Sequence, residues 1–109
     1  MSFAELTRTR FSCRTYQDRP VEDSVLNAVI EAGRIAPSAH NNHPTRLIAC
    51  TTPAMLEKAA LAAPRFAREG SIFGAPVVLI ACAVEDDAWV RSFDGMNARS
   101  STRRSWSTR

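Results

Sequence analysis

The sequence predicts an α+β fold in which helices flank a small sheet. Three short segments carry apolar residues at helical spacing, and two others are apolar runs of the kind that form strands. Their order along the chain is helix, helix, strand, helix, strand. The length of 109 residues is enough for one small domain.

The first helix is expected to begin after Ser2 and to run to about Thr9. Ser2 and Glu5 have the spacing of a capping box, in which each side chain accepts the backbone N–H of the other residue. The following segment, "RFSCRTYQDRP", ends at Pro20, which blocks continuation of a helix.

The second helix is expected to begin near Glu22 or Asp23 and to weaken at Gly33. It must end before Pro37, because the residue before a proline disfavours the α-helical conformation. Its apolar residues fall on one face and are Val25, Leu26, Val29 and Ile30.

A loop, a strand and the third helix follow. Residues 37–44, "PSAHNNHP", form a loop by composition, and the apolar run at 47–50 predicts a short strand. Thr52 caps the third helix, Pro53 occupies its first position, and Pro64 ends it. The apolar stripe of this helix consists of Met55, Leu56, Ala59 and Ala60.

The last predicted elements are a strand at 76–84 and one helical turn. The strand is expected to be buried on both faces, because its apolar residues do not alternate with polar ones. Asp86 and Asp87 are expected to cap a helical turn over 88–90. Two strands do not form a stable sheet alone, so we expect residues 1–97 to be the N-terminal part of a larger domain and to be weakly stable.

Residues 98–109, "ARSSTRRSWSTR", form a basic tail. Its four arginines exceed the net charge of +3 of the whole chain, so the rest of the chain is slightly acidic. Four explanations apply: binding to nucleic acid or an anionic membrane, a disordered end, an expression remnant, or out-of-frame translation. The tail has no nucleic-acid-binding motif and one aromatic residue, Trp106.

Out-of-frame translation is the explanation that we favour for the tail, because a shifted reading restores apolar residues. We assume that the serine codons are TCN and the arginine codons are CGN, and we start each shifted codon at the third base of an original codon. The shifted reading of 101–109 is then compatible with an apolar residue followed by Asp-Ala-Ala-Ile-Val-Val-Asp-Thr. Such a sequence has the apolar content of a core helix. The tail is therefore expected to be disordered or out-of-frame.

The cysteines and the apolar runs indicate the cellular compartment in which we expect the protein. Cys13, Cys50 and Cys82 are odd in number and include no C-x-x-C pair, which indicates reduced thiols. No basic segment precedes an apolar one at the N-terminus, and the apolar run at 75–84 is too short to span a bilayer. We expect a cytoplasmic protein with neither membrane nor nucleic acid as a partner.

The first of two segments with candidate chemistry lies at residues 10–14. If this segment is extended, the side chains of Arg10, Ser12 and Arg14 share one face. Two guanidinium groups beside a hydroxyl suit a phosphate, which arginine can bind through two parallel hydrogen bonds. The alternative is a solvated basic stretch near a turn.

The second segment, the loop at 36–44, offers amide side chains and backbone N–H groups that can bind the polar edge of a flat heterocycle. The alternative is a plain polar connector. His40 and His43 lack a third ligand for a metal, and Ser38 with His40 lacks the G-x-S-x-G elbow of a nucleophile. We therefore expect neither a metal site nor a catalytic side chain.

These two segments are followed along the chain by a third, "GAPVVLIACA". In this order the three segments resemble the N-terminal half of the flavin-dependent nitroreductase family, and the resemblance covers this chain from about Leu6 to Gly95. The family pattern is R-x-S-x-R-x-[YF], then A-P-S-x-x-N-x-Q-P, then a-P-v-v-i-v. The resemblance implies a nitroreductase-like sheet flanked by helices, here truncated, and an intertwined homodimer with FMN at its interface. It also implies ping-pong electron transfer from NAD(P)H to a nitroaromatic, quinone or similar small-molecule acceptor.

The resemblance assigns six residues to the cofactor and none to catalysis, because a flavin carries its own chemistry. The residues that match the positions holding the FMN phosphate and ribityl chain are Arg10, Ser12 and Arg14. The residues that match the loop against the isoalloxazine ring are Pro37, Ser38 and Asn41. The sequence departs from the pattern at His43, where Gln is usual, and at Thr45, where an aromatic residue is common.

A larger departure is that the C-terminal half of the family pattern is missing. In the family, that half brings further strands, a long core helix, a second flavin-contacting loop and a late basic residue for the phosphate. Two alternatives to an active oxidoreductase stay open. One is a non-enzymatic fragment of a nitroreductase-like protein, and the other is a small anion- or nucleic-acid-binding module that uses the basic tail.

Overall fold

The computed structural model describes residues 1–98, so the prediction for the basic tail lies outside the described residues except at Ala98. Helices and strands together confirm the α+β class. The helices are α1 Phe3–Thr9, α2 Asp23–Arg34 and α3 Pro53–Ala62, with 3₁₀ turns at Ala39–Asn41 and Pro64–Phe66. The strands are β1 Thr45–Cys50, β2 Ala67–Arg68, β3 Ser71–Ile72 and β4 Val78–Ala83.

The chain divides into two units, and each is described by itself. Unit 1 comprises Met1–Pro20 and Thr51–Val78, and unit 2 comprises Val21–Cys50 and, among the described residues, 79–98. In the described residues, no helix is both long and apolar enough to cross a membrane.

In unit 1, α1 begins with the predicted capping box. The Ser2 hydroxyl accepts the Glu5 N–H at 3.2 Å, and the Ser2 N–H donates to Glu5 Oε2 at 2.6 Å. The bond from the Ser2 backbone, followed by that from its side chain, lowers the pKa of Glu5. The helix is exposed along its whole length, so capping and helix propensity rather than burial define it.

The third helix also follows its prediction. Thr52 Oγ1 accepts the Met55 N–H at 3.4 Å, and Pro53 occupies the first helical position. Ala59 and Ala60 are buried, while the other two residues of the predicted stripe are half-buried. The helix therefore turns its small-residue side toward its neighbours in unit 1.

A hairpin that the sequence analysis missed packs against α3. Its strands, β2 and β3, run antiparallel and are joined by Glu69 and Gly70. Both connecting residues have positive φ, 49° and 73°, as the favoured two-residue hairpin turns require. The Phe73 N–H closes the hairpin by donating to the Phe66 carbonyl at 2.8 Å. The buried Ser71 hydroxyl donates to the Ala75 carbonyl at 2.7 Å and so holds the segment that follows β3.

In unit 2, α2 has the predicted bounds but only part of the expected burial. Leu26 and Ile30 are half-buried, whereas Val25 and Val29 are 52% and 50% exposed. Gly33 packs closely on β1, because a Cβ there would lie 2.9 Å from Leu47 Cδ1 and this side chain would have to shift.

The larger sheet of unit 2 contains β1 and β4. A hydrogen bond of 2.8 Å from the Val84 N–H to the Pro44 carbonyl sets the end of β4 beside the start of β1. The expectation that the last strand is buried on both faces is wrong, since Ile80 and Ala81 are exposed. Within residues 1–98, β4 has β1 as its one sheet neighbour, so no strand pairs with its other edge.

The helical turn expected at 88–90 is also wrong. A turn forms instead, in which the Ala88 N–H donates to the Glu85 carbonyl at 3.2 Å, and Val90 forms an antiparallel bridge with Asn97. Asp87 does not cap a helix, because its carboxylate binds a distant arginine of β1.

Candidate functional site

The predicted phosphate-binding residues lie in unit 1, on the segment after α1 that we call the arginine segment, residues 10–14. Arg10 is the C-cap of α1 and has extended backbone angles, φ −65° and ψ 132°. Arg10, Ser12 and Arg14 are exposed, and in the described residues neither guanidinium forms an ion pair. Two unpaired guanidinium groups flanking a hydroxyl form a donor set that fits a phosphate.

The hydrogen bonds within this segment involve Cys13, which lies between Ser12 and Arg14. The Cys13 thiol donates to the Thr15 carbonyl at 2.9 Å, and the Tyr16 hydroxyl donates to the Cys13 carbonyl at 3.3 Å. Cys13 and Tyr16 therefore shape the backbone, while the side chains of Ser12 and Arg14 keep their hydrogen-bonding groups for solvent or a ligand.

The predicted ring-binding residues lie in unit 2, and we call residues 38–43 the ring loop. Pro37, which precedes the loop, is exposed. The Ser38 hydroxyl accepts the His43 N–H at 2.8 Å, and the Ser38 carbonyl accepts the Asn41 N–H at 3.0 Å. Ser38 thus closes the loop, and its own O–H hydrogen has no acceptor among the described residues.

The backbone of the ring loop is left-handed at three positions that are not glycine. His40, Asn41 and His43 have φ values of 56°, 57° and 48°. This conformation costs an L-residue roughly 1–2 kcal/mol, and His43 is restricted further because Pro44 follows it. Contacts must therefore hold the loop in this shape, and such strain clusters at functional sites.

Two side chains of the loop contact each other directly. His43 Nε2 lies 2.6 Å from Asn41 Oδ1. Because the amide oxygen is an acceptor, a hydrogen bond here requires the tautomer that carries a hydrogen on Nε2, and in the neutral ring Nδ1 is then an acceptor. The loop therefore offers the Ser38 hydroxyl and the Asn41 NH₂ as donors and His43 Nδ1 as an acceptor.

Further contacts, which the sequence analysis missed, join the ring loop to the turn at 85–89. Arg46 Nη1 donates to the His43 carbonyl at 2.7 Å, and Nη2 donates to Asp87 Oδ2 at 2.8 Å. The imidazole of His40 is parallel to the indole of Trp89, with 6.3 Å between centroids and 2° between planes. No local pattern indicates the Arg46–Asp87 and His40–Trp89 pairs, because the members of each pair lie more than forty residues apart.

The two histidines and the serine of this loop contact different partners. The His40 ring faces Trp89 while the His43 ring faces Asn41, and the described residues contain no group of three potential ligands for a metal. The Ser38 hydroxyl is bonded to the backbone of His43.

Comparison with known proteins places both segments in one matched region. The model of the nitroreductase family matches residues 7–71, which include the arginine segment and the ring loop. A structure described as a nitroreductase family protein from Clostridium difficile is 38% identical, with a TM-score of 0.74, and the match covers 89% of this chain and 52% of that one.

Two curated relatives are similar over most of this chain. An NADH dehydrogenase of Thermus thermophilus is 38% identical over 79 residues, 72% of this chain and 37% of that protein. A Methanothermobacter thermautotrophicus protein, provisionally named NADH dehydrogenase/NAD(P)H nitroreductase, is 34% identical over 82 residues, 75% of this chain and 41% of the relative. The chain thus spans less than half the length of these relatives.

Proposed function

Because the chain belongs to the nitroreductase family, we propose that it is the flavin-binding part of an FMN-dependent oxidoreductase. The electron donor is NAD(P)H, and the acceptor is a nitroaromatic, quinone or similar small molecule. The observation that carries the proposal is that both predicted cofactor segments fall inside the matched region and present donor sets that suit the two ends of FMN. Bound FMN supplies the hydride and electron transfer chemistry, and the protein supplies binding and orientation.

The phosphate end of FMN is assigned to Arg10, Ser12 and Arg14. Support comes from the exposure of all three side chains and from the lack of a competing carboxylate among residues 1–98. A phosphate dianion can accept two hydrogen bonds from one guanidinium, and such charge-assisted bonds are about twice as strong as neutral ones.

The isoalloxazine ring is assigned to Pro37, Ser38 and Asn41, with His43 beside them. The free donors of Ser38 and Asn41 suit carbonyl oxygens on a heterocycle, and His43 Nδ1 suits a ring N–H. His43 replaces the usual Gln of the family pattern and keeps one donor and one acceptor.

We also propose that the working protein is a cytoplasmic homodimer with no nucleic acid or membrane partner. The family resemblance is the basis for the dimer. Sedimentation of the FMN-loaded protein tests it, with a mass of twice that of one chain expected and a monomer contradicting it.

The cofactor assignment is tested by titrating the protein with FMN and with riboflavin, following flavin fluorescence. Arg14→Ala should weaken FMN by about 10- to 100-fold, because a hydrogen bond to a charged group contributes roughly 1.5–3 kcal/mol. Riboflavin, which lacks the phosphate, should be unaffected. Arg19→Ala, also exposed and in the same connecting segment, is the matched control and should bind FMN as the parent does.

An equal loss of FMN and riboflavin in Arg14→Ala would contradict the assignment of the phosphate. Failure of the parent chain to bind FMN would instead favour the alternative of a non-enzymatic fragment.

A further inference from the structure

The ring loop is connected to the turn at 85–89 of unit 2 by contacts between residues that are distant in sequence. Arg46 links the His43 carbonyl to the Asp87 carboxylate, and Trp89 stacks on His40. We call Arg46, Asp87 and Trp89 the loop anchor. Its contacts fall on two of the three left-handed residues, His40 and His43.

The geometry of Arg46 explains why an arginine is suited to this position. Its two terminal nitrogens bind different groups at the same time, one a backbone carbonyl and the other a carboxylate. A lysine has a single ammonium group at the end of a flexible chain and cannot reproduce the planar fork. Arg46 therefore fixes the His43 carbonyl relative to the turn at 85–89.

The ion pair contributes little to overall stability. The side chains of Arg46 and Asp87 are 56% and 43% exposed, and ion pairs in such surroundings are weak. The contacts of Arg46 act on a loop whose backbone conformation is intrinsically unfavourable. A small stabilisation can therefore decide whether the loop residues adopt left-handed backbone angles. The anchor is thus placed to control loop shape more than folding.

We propose that the loop anchor holds the ring loop in the conformation that receives the flavin ring, with Arg46 as the main positioning residue. This inference rests on the proposed function. When only a fraction of molecules has the competent loop, the apparent dissociation constant rises in inverse proportion to that fraction. Loss of the anchor should therefore weaken every flavin that binds through its ring, with or without a phosphate.

The test uses the full chain with Trp106→Phe, which leaves Trp89 as its single tryptophan. In this background we compare Arg46→Gln, Arg46→Lys and Asp87→Asn. The matched control is Arg34→Gln, which breaks an exposed arginine–carboxylate pair, Arg34–Glu31, within α2. Three quantities are measured: acrylamide quenching of Trp89 without flavin, the affinities for FMN and lumiflavin, and the midpoint of urea unfolding.

We expect Arg46→Gln to increase the quenching constant of Trp89 about twofold, because the His40 ring no longer covers the indole. FMN and lumiflavin should both weaken about tenfold, the loss expected if about one molecule in ten keeps the competent loop. Asp87→Asn and Arg46→Lys should show smaller losses, since each retains part of the anchor. The urea midpoint should match that of Arg34→Gln.

Unchanged Trp89 quenching in Arg46→Gln would overturn the inference without any reference to flavin. Changed quenching with unchanged flavin affinities would overturn the positioning role, and so would a large fall in the urea midpoint that accounts for the loss of binding. If the parent binds neither flavin, the proposed function fails, while a change in Trp89 quenching would still establish the anchor as a support of the loop.

Discussion

The arginine segment and the ring loop differ in how their conformations are held. The arginine segment is exposed, and its two guanidinium groups lack partners among the described residues. The ring loop is closed by the Ser38 hydroxyl, strained at three left-handed residues and linked to a second turn by Arg46. The arginine segment offers exposed charge, and the ring loop offers a defined backbone shape.

This difference predicts how the ligand affinity of each region depends on salt and on backbone conformation. If the arginine segment binds phosphate as proposed, Coulomb attraction drives that binding, so the affinity should follow ionic strength and the number of charges. If the ring loop binds the flavin ring as proposed, the affinity should follow the left-handed propensity of the loop residues. A substitution or a change of salt can therefore alter the charge interaction or the loop conformation while the other stays the same.

Among the changes that alter loop shape, solution salt or the helix cap, the largest effect is expected at Asn41, where the backbone is left-handed. Asn41→Val introduces a β-branched side chain at φ 57° and removes the amide. We expect FMN and lumiflavin to weaken together by at least about tenfold, because a strain of roughly 1–2 kcal/mol adds to the loss of the amide donor. Asn42→Val is the matched control, because Asn42 has φ −77° and ψ −16°, and fluorescence titration should find its affinities unchanged. Equal losses at both positions would show that the loop is not held by its backbone conformation.

A smaller effect is expected from salt, and it should separate the two regions. Raising the ionic strength from about 0.05 M to 0.5 M shortens the screening length to a few ångströms. FMN affinity should fall roughly fivefold because the arginines are exposed, while lumiflavin affinity should stay constant. The prediction fails if both ligands respond alike in parallel titrations.

The smallest effect is expected from Ser2→Ala, which removes the capping box before the arginine segment. A lost cap costs about 1 kcal/mol of helix stability, which far-UV circular dichroism detects as reduced helicity. FMN affinity should nevertheless stay within about twofold if the segment binds by charge rather than by fixed geometry. A larger loss would mean that α1 preorganises Arg10.

The same helix gives a dependence on pH. Glu5 has a lowered pKa in the folded chain, so its contribution to helix stability is present above its unfolded pKa of about 4.3 and is lost as the pH falls through the folded value. Helicity should therefore decrease on acidification in the parent chain, and less so in Ser2→Ala. The pH titration of α1 helicity provides this measurement.

The sequence predicts those parts of the fold that depend on near neighbours. Ser2 with Glu5, and Thr52 with Pro53, mark helix starts that the structure confirms, because caps act over three residues. The hairpin at 67–72 escaped prediction because its strands have two residues each and Glu69 is unusual at positive φ. The exposure of Ile80 depends on neighbouring strands, which a pattern within one strand cannot report.

In the candidate site too, the sequence predicts features that depend on near neighbours and misses contacts between distant residues. Spacing and motif name the residues of both segments, since those residues are close in sequence. They do not reveal that Asp87 binds Arg46 rather than capping a helix, or that Trp89 stacks on His40. These contacts join distant parts of the chain, so only the folded arrangement discloses them.

The central claim is that the arginine segment recognises phosphate and the ring loop recognises the flavin ring. It is tested most directly by following the backbone amide resonances of the ¹⁵N-labelled chain during titration with FMN and then with lumiflavin. FMN should shift amides at 10–14 and at 38–43, and lumiflavin should shift only those at 38–43. The claim is contradicted if lumiflavin shifts the arginine segment as strongly as FMN does, or if FMN shifts neither segment.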